Sequence, residues 1–237
     1  IASHQLRTPL TAIRWLAELL VKESSAILPP AQQSYVEDIM QATGRMITLV
    51  NALLNVSRIE SGRLKVLPKK IQIMSLINEV VDELSIAARG SHCAIDVVKP
   101  RKPLPAINLD RDLMRQVFQN LLTNAIRYSR PNMCQISVKC HSDKEYIFVE
   151  VSDNGIGIPD EAQQRIFEKF FRASNAAKSQ TDGTGLGLYI TRMIVEMAGG
   201  TIRFDSKEGV GTTFYVALPL KGMLKKTGEV GLIHNGQ

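Results

Sequence analysis

The chain lacks any apolar run long enough to cross a bilayer, which takes roughly 20 consecutive apolar residues, so no membrane-spanning helix is expected within its 237 residues. Any membrane attachment would come from upstream segments. Cysteine is scarce: Cys93, Cys134 and Cys140 are the only three, and no two stand in a CxxC spacing. An odd count without metal-ligand spacing argues against a disulfide framework or a zinc site and fits a reducing, cytoplasmic compartment. Aromatics are few, with five Tyr and seven Phe, and the basic residues are scattered. The formal net charge of +6 permits an acidic partner. A solvated surface with one site for an anionic ligand accounts for it, and no nucleic-acid partner is expected. There is no GxxxxGK[ST] segment, so a phosphate site here must do without a P-loop lysine. Nor is there a leader-like N-terminus. The helical pattern begins three residues before His4, and the chain is read as lacking its upstream part.

What is present is an ordinary globular composition, 44% hydrophobic and 22% charged, in a chain long enough to bury a core. From Leu6 the apolar positions run Leu6, Leu10, Ile13, Ala17, Leu20, in alternating steps of four and three. That is a heptad seam on a helix. Pro29 and Pro30 stop it. A second helix follows from about Ala31 to Ser61, its seam read through Ile39, Ala42, Met46, Leu49, Leu53 and Val56. Two such helices make an antiparallel hairpin whose seam is too wide to bury alone, and pairing two copies into a four-helix bundle would cover it. A homodimer is the expectation.

Gly62 and Pro68 end the helical region. Beyond them the periods mix. Helices are expected over about 75–88, 110–127 and 186–198. Strands are expected at "CAIDVV", "CQISVKC", "YIFVEVSD", "TIRFDS" and "TTFYVALP". The fold class is therefore multi-domain: an all-α helical hairpin plus an α/β sandwich. The boundaries are a hairpin over 1–64, a linker over 65–70, the sandwich over 71–220, and a mobile tail over 221–237.

His4 falls beside the seam, on the solvent side, and shares a helix face with Thr8 and Thr11. An exposed imidazole titrates near about 6.5. Much of it is neutral at pH 7, with a lone pair available for attack. From this stretch alone a solvated surface histidine is the better reading.

Three further segments occur in order. In "RQVFQNLLTNAIRYS", Asn120, Asn124 and Arg127 recur at steps of four and three, so two carboxamides and a guanidinium share one helix face. That set suits a metal–polyphosphate, because Mg²⁺ takes few protein oxygens. A plain polar face is the alternative. In "VSDNGIGIPD", a strand ends at Asp153, and Gly155 and Gly157 allow a tight backbone. The carboxylate there could accept a hydrogen bond from an amino group such as that of adenine, or the segment is a surface turn. In "DGTGLGLYITRMIVEMAGG", Gly183, Gly185 and Gly187 lead into a helix whose N-terminal amides attract phosphate. The small, polar residues 172–181 between the last two segments fit a lid over a nucleotide. Phe167, Phe170 and Phe171 sit at its base, with one or two of them expected in the core.

Taken together, "SHQLRTPL", "NLLTNAIRYS", "DNGIGIP", "FEKFFR" and "GTGLGL", in this order and spacing, resemble the sensor histidine kinases of two-component signalling. "SRIESGRL" and "EGVGTTFYVALP" extend the likeness to roughly 1–220. The resemblance implies a dimerisation and histidine-phosphotransfer hairpin followed by a Bergerat-type ATP-binding fold of the gyrase, chaperone, kinase and MutL superfamily. It implies His4 as phosphoacceptor, with ATP and Mg²⁺ as ligands. Asn124 and Asn120 would hold the metal, Arg127 would meet phosphate, Tyr128 would lie near the base, and Asp153 would read the adenine amino group. Gly155, Gly157, Gly183, Thr184, Gly185, Leu186 and Gly187 would shape the pocket, and Arg172 would reach phosphate as the lid closes. The implied partners are a second copy and a cognate response regulator whose aspartate takes the phosphoryl group. Thr8 matches the position that supports regulator dephosphorylation.

One residue departs from the family pattern: Gln5 stands where an acidic residue is usual, and an amide cannot act as a base. General-base help is worth ~10²–10⁴-fold. A phosphatase-biased enzyme or a nucleotide-gated pseudokinase scaffold is therefore the alternative. Most phosphoryl-transfer catalysis is positioning and charge neutralisation, and those parts are intact in the sequence.

Overall fold

The structure is a computed structural model that describes residues 2–24, 29–130, 134–179 and 183–226, with side chains for all of these but 2–7, 23–24, 30 and 178–179. It divides into two compact units, Ile1–Ser61 and Gly62–Gln237.

The first unit is two helices, α1 (Ala2–Ser24) and α2 (Pro30–Glu60), packed on each other. Pro30 opens α2 at a position where a missing N–H costs nothing. Helix α1 runs on through Pro9. The apolar residues of the two helices, those of the seam read from the sequence together with Leu16 and Ile59, divide in two. Leu10, Ala17, Val56 and Ile59 are buried, as is Thr43, whose hydroxyl donates to the Ile39 carbonyl. Ile13, Leu16, Leu20, Ile39, Met46 and Leu53 are 41–54% exposed. A helix pair has one line of mutual contact, narrower than the apolar stripe each helix carries.

The second unit runs β1 (Lys69–Ile71), α3 (Ile73–Gly90), β2 (Cys93–Val98), β3 (Ile107–Leu109), α4 (Arg111–Arg127), β4 (Cys134–Ser142), β5 (Tyr146–Asp153), α5 (Asp160–Gln163), α6 (Ser174–Ser179), α7 (Gly187–Met197), β6 (Thr201–Lys207) and β7 (Gly211–Pro219). Strands β1 and β3 form an antiparallel pair. The main sheet has the order β2-β4-β5-β7-β6, with β2 and β4 parallel and the other neighbours antiparallel. Alternate residues Ile136 and Val138 of β4, Val149 and Val151 of β5, and Val216 and Leu218 of β7 are buried. Helices α3, α4 and α7 meet this sheet, and α4 packs against both of the others. They bring Leu76, Ile77, Phe118, Leu121, Leu122 and Ile194, each nearly inaccessible, at helical spacing. The result is the expected α/β sandwich.

Helix α4, which carries most of the candidate site, is fixed at its start by Asp110. One carboxylate oxygen caps the Asp112 and Leu113 N–H groups at 3.2 Å, and the other accepts the Leu67 N–H at 2.8 Å. That second bond bears on the segment expected as a linker. Val66 is 2% exposed and pairs with Lys226, and Lys69–Ile71 is β1, so residues 66–71 pack into the second unit. The tail is likewise bound further than its composition suggested. Met223 is buried, and its N–H donates to the Asn108 carbonyl at 2.7 Å. Residues 227–237, the rest of the expected tail, lie outside the described residues.

The cysteine reading is overturned. Cys93 and Cys134 are joined by a disulfide, and only Cys140 is free. Counting and spacing along the chain could not find the pair, because parallel pairing of β2 with β4 sets the two residues opposite each other across 41 positions.

Candidate functional site

In the first unit, His4 and Gln5 lie in the first turns of α1, and their side chains are outside the described residues. Helical spacing puts positions 4, 8, 11 and 15 on one face of α1. Thr8, Thr11 and Trp15 on that face are exposed, Trp15 by 59%.

In the second unit a cleft of about 960 Å³, part of it open to solvent, lies between α4, the loop after β5, the lid segment and the start of α7. Of the residues singled out in the sequence, Asn120, Asn124, Arg127, Tyr128, Asp153, Gly157, Arg172, Gly183, Thr184, Gly185 and Gly187 line it. Gly155 and Leu186 do not. Leu186 is fully buried just before α7. Gly155 closes the turn behind the cleft, where a side chain would strike the Tyr128 carbonyl.

Helix α4 presents its polar edge because Val117, Phe118, Leu121 and Leu122 take the opposite edge into the core. The Asn120 amide nitrogen donates to the Thr191 hydroxyl at 2.9 Å, which turns its oxygen toward Gly187. Among the described residues no side chain caps the start of α7, so the N–H groups of its first turn can meet an anion at the Gly187 side of the cleft.

Asp153 ends β5 with its Oδ1 accepting the Gly155 N–H at 2.8 Å and the Thr212 N–H at 3.2 Å. Burial holds the carboxyl above its ordinary value against the pull of those two donors. The group is desolvated yet oriented, as a hydrogen-bond acceptor for a ligand should be. Gly157 takes a left-handed backbone (φ 66°), and an added Cβ there would collide with the Lys207 carbonyl.

At the lid, Arg172 donates to the Ala176 carbonyl at 3.2 Å and lies along Gly183. Residues 180–182 of the lid lie outside the described residues. None of the three phenylalanines is buried in the core. Phe167 meets Phe204 edge-on, Phe171 lines the cleft with the Arg165 guanidinium over its ring at 4.4 Å, and Phe170 is 56% exposed. Phe170 has φ 63°, rare for a bulky residue, and its backbone is where a Cβ on Gly185 would fall, at 2.6 Å. Ile166 and Ala173 do the anchoring instead.

Sequence reasoning missed Ile156, Ile158, Phe214 and Thr212 in the lining. Thr212 stands 59 residues from the carboxylate it serves, and only the antiparallel register of β5 with β7 joins them.

Residues 1–62 match the His Kinase A (phospho-acceptor) domain, and residues 109–222 match the Histidine kinase-, DNA gyrase B-, and HSP90-like ATPase. The sensor protein kinase WalK of Staphylococcus epidermidis is 34% identical over 218 residues, covering 92% of this chain and 35% of that protein. The sensor histidine kinase WalK of Bacillus subtilis is 34% identical over 223 residues, covering 92% and 36%. The crystal structure of full-length ShkA in complex with AMPPNP superposes with a TM-score of 0.76 at 26% identity, over 95% of this chain and 46% of that one. The chain thus spans about a third of the length of the curated relatives it matches.

Proposed function

This chain belongs to the histidine kinases of two-component signalling, and from that premise we propose that it transfers the γ-phosphoryl group of ATP to His4 and then to an aspartate of a response regulator. The cleft carries this reading. It combines a desolvated, oriented carboxylate, two carboxamides, an arginine and a helix N-terminus in a single cavity, with no lysine in its lining among the described residues.

Adenine binds at Asp153, whose carboxylate accepts the amino N–H while the Gly155 and Thr212 amides hold it in place. Tyr128, Ile156 and Phe214 flank the base. The phosphates run toward Asn120, Asn124, Arg127 and the start of α7. AMPPNP in the related ShkA complex supports an adenine-nucleotide occupant. Asn120 and Asn124 fit Mg²⁺ in their donor chemistry: both offer hard, neutral oxygens, and the Asn120 oxygen is left to face Gly187 once its nitrogen is bonded to Thr191. A metal ion held there would neutralise charge on the phosphates.

The neutral imidazole of His4 attacks phosphorus in line, and the bond to the ADP bridging oxygen breaks. The regulator's carboxylate later takes the phosphoryl group from nitrogen. Gln5 accepts no proton, so the imidazole proton leaves to water. Thr8 positions water for dephosphorylating the regulator, a role supported by its exposure and by helical spacing from His4. A second copy covers Ile13, Leu16, Leu20, Ile39, Met46 and Leu53. The kinase works in the cytoplasm, where its nucleotide and regulator are; no helix among the described residues is long and apolar enough to cross a membrane.

The test is incubation with γ-labelled ATP and Mg²⁺, followed by addition of a receiver domain. Label should appear on the protein and then move to the receiver. ATP binding without any labelling would contradict kinase activity, and loss of Mg²⁺ dependence would contradict the asparagine assignment.

A further inference from the structure

We propose that Cys93 and Cys134 form a reversible thiol–disulfide exchange site whose closure tightens the nucleotide cleft; the proposal rests on the nucleotide reading above. The two cysteines are the first residues of β2 and β4, placed opposite each other by the parallel register and bonded. Strand β2 is an edge of the sheet. Cys93 is partly open to solvent, whereas Cys134 is 3% exposed. A thiolate arriving from solution therefore meets the Cys93 sulfur first.

The bond also sits beside the base-reading turn. Gln135, next to Cys134, donates its backbone N–H to Asn154 Oδ1 at 2.9 Å, and its carbonyl accepts the Asn154 N–H at 3.3 Å. Asn154 lies between Asp153 and Gly155, and the following residue of β4, Ile136, stands opposite Asp153 in the ladder. One end of the disulfide is thus linked, through Gln135 and Asn154, to the turn whose Gly155 N–H holds the base-reading carboxylate.

Cys140 stays out of the exchange. Burial pushes its thiol up to about 12, so it remains protonated. Six residues along an extended strand, it is roughly 20 Å from Cys134.

A dithiol reductant opens the bond in two steps. Its thiolate attacks the Cys93 sulfur, forms a mixed disulfide and expels Cys134 as a thiolate, which takes a proton. The reductant's second thiol then attacks the mixed disulfide, releases Cys93 and closes its own disulfide. Two electrons and two protons pass to the protein, and an oxidised dithiol reverses both steps. In a reducing cytoplasm the pair rests open and closes under oxidation. Closure pins the start of β4 to β2 and restrains Asn154, so the oxidised form holds nucleotide more tightly.

The full chain is treated with the thiol oxidant diamide, which takes up the two electrons and two protons, or with reduced dithiothreitol, then alkylated under denaturing conditions for mass measurement, and titrated natively with trinitrophenyl-ATP. Expected are one alkyl group per oxidised chain and three per reduced chain, and roughly fivefold tighter binding by the oxidised form, at the low end of typical site–site coupling. Cys93→Ser and Cys134→Ala should each bind like the reduced protein in both buffers. Three alkyl groups after oxidation would overturn the exchange site. Equal affinities with the bond shown to be closed would overturn the coupling. Absence of binding in either state would overturn the nucleotide reading, and the tightening with it.

Discussion

In the second unit Leu76, Phe118, Leu121 and Leu122 are 0–1% exposed, whereas in the hairpin Ile13, Leu16, Leu20 and Met46 are 46–54% exposed. Both sets are large apolar residues at helical spacing. The second unit has a sheet to lay them on, and its core is complete within one chain. Within its own unit the hairpin has only two helices, and a large part of their apolar surface is left exposed. The cleft therefore rests on a fold with a closed core, and the histidine on a helix pair whose apolar surface the proposed dimer would cover.

The contrast breaks first at Phe118. Truncation to Ala at this 1% exposed site should cost about 3–5 kcal/mol, read by chemical denaturation. Leu16→Ala, on the hairpin surface, should cost a monomer little. Next is Gln5→Glu, which supplies the missing base and should raise the autophosphorylation rate by up to ~10²-fold without changing nucleotide affinity. An unchanged rate would mean that proton removal is not limiting. Met46→Glu comes third. It should weaken self-association at least about tenfold in sedimentation, since a charge would have to be desolvated, while leaving nucleotide binding by the second unit intact. The smallest effect concerns Asp153. Its carboxyl is raised by burial, so the folded state keeps that proton to higher pH than the unfolded chain does. Stability from this group is therefore fullest below the ordinary Asp value and falls as pH rises through the raised one. Asp153→Asn should remove that fall from the stability–pH curve while weakening nucleotide binding.

What could be read from the sequence follows the same division. Helix α4 and strand β5 announce themselves because each is periodic within a few residues, and the faces of Asn120, Asn124 and Asp153 follow from the period. The glycine run before α7 is equally local. What escaped depends on pairing between distant segments: Thr212 with Asp153, Val66 with Lys226, Cys93 with Cys134. Strands of three residues, such as β1 and β3, are too short to show alternation at all. Phe170 looked like an anchor because it is large and apolar, but a left-handed backbone turns it outward beside Gly185. The hairpin seam was legible as a pattern and ambiguous in meaning, since spacing cannot say which apolar face meets the same chain and which meets another.

The division of labour between a nucleophile on the hairpin and a nucleotide in the cleft is tested most directly by comparing wild type with His4→Ala in γ-labelled ATP. Wild type should gain acid-labile, base-stable label. His4→Ala should gain none while binding ATP with unchanged affinity. Label persisting on His4→Ala would contradict the account.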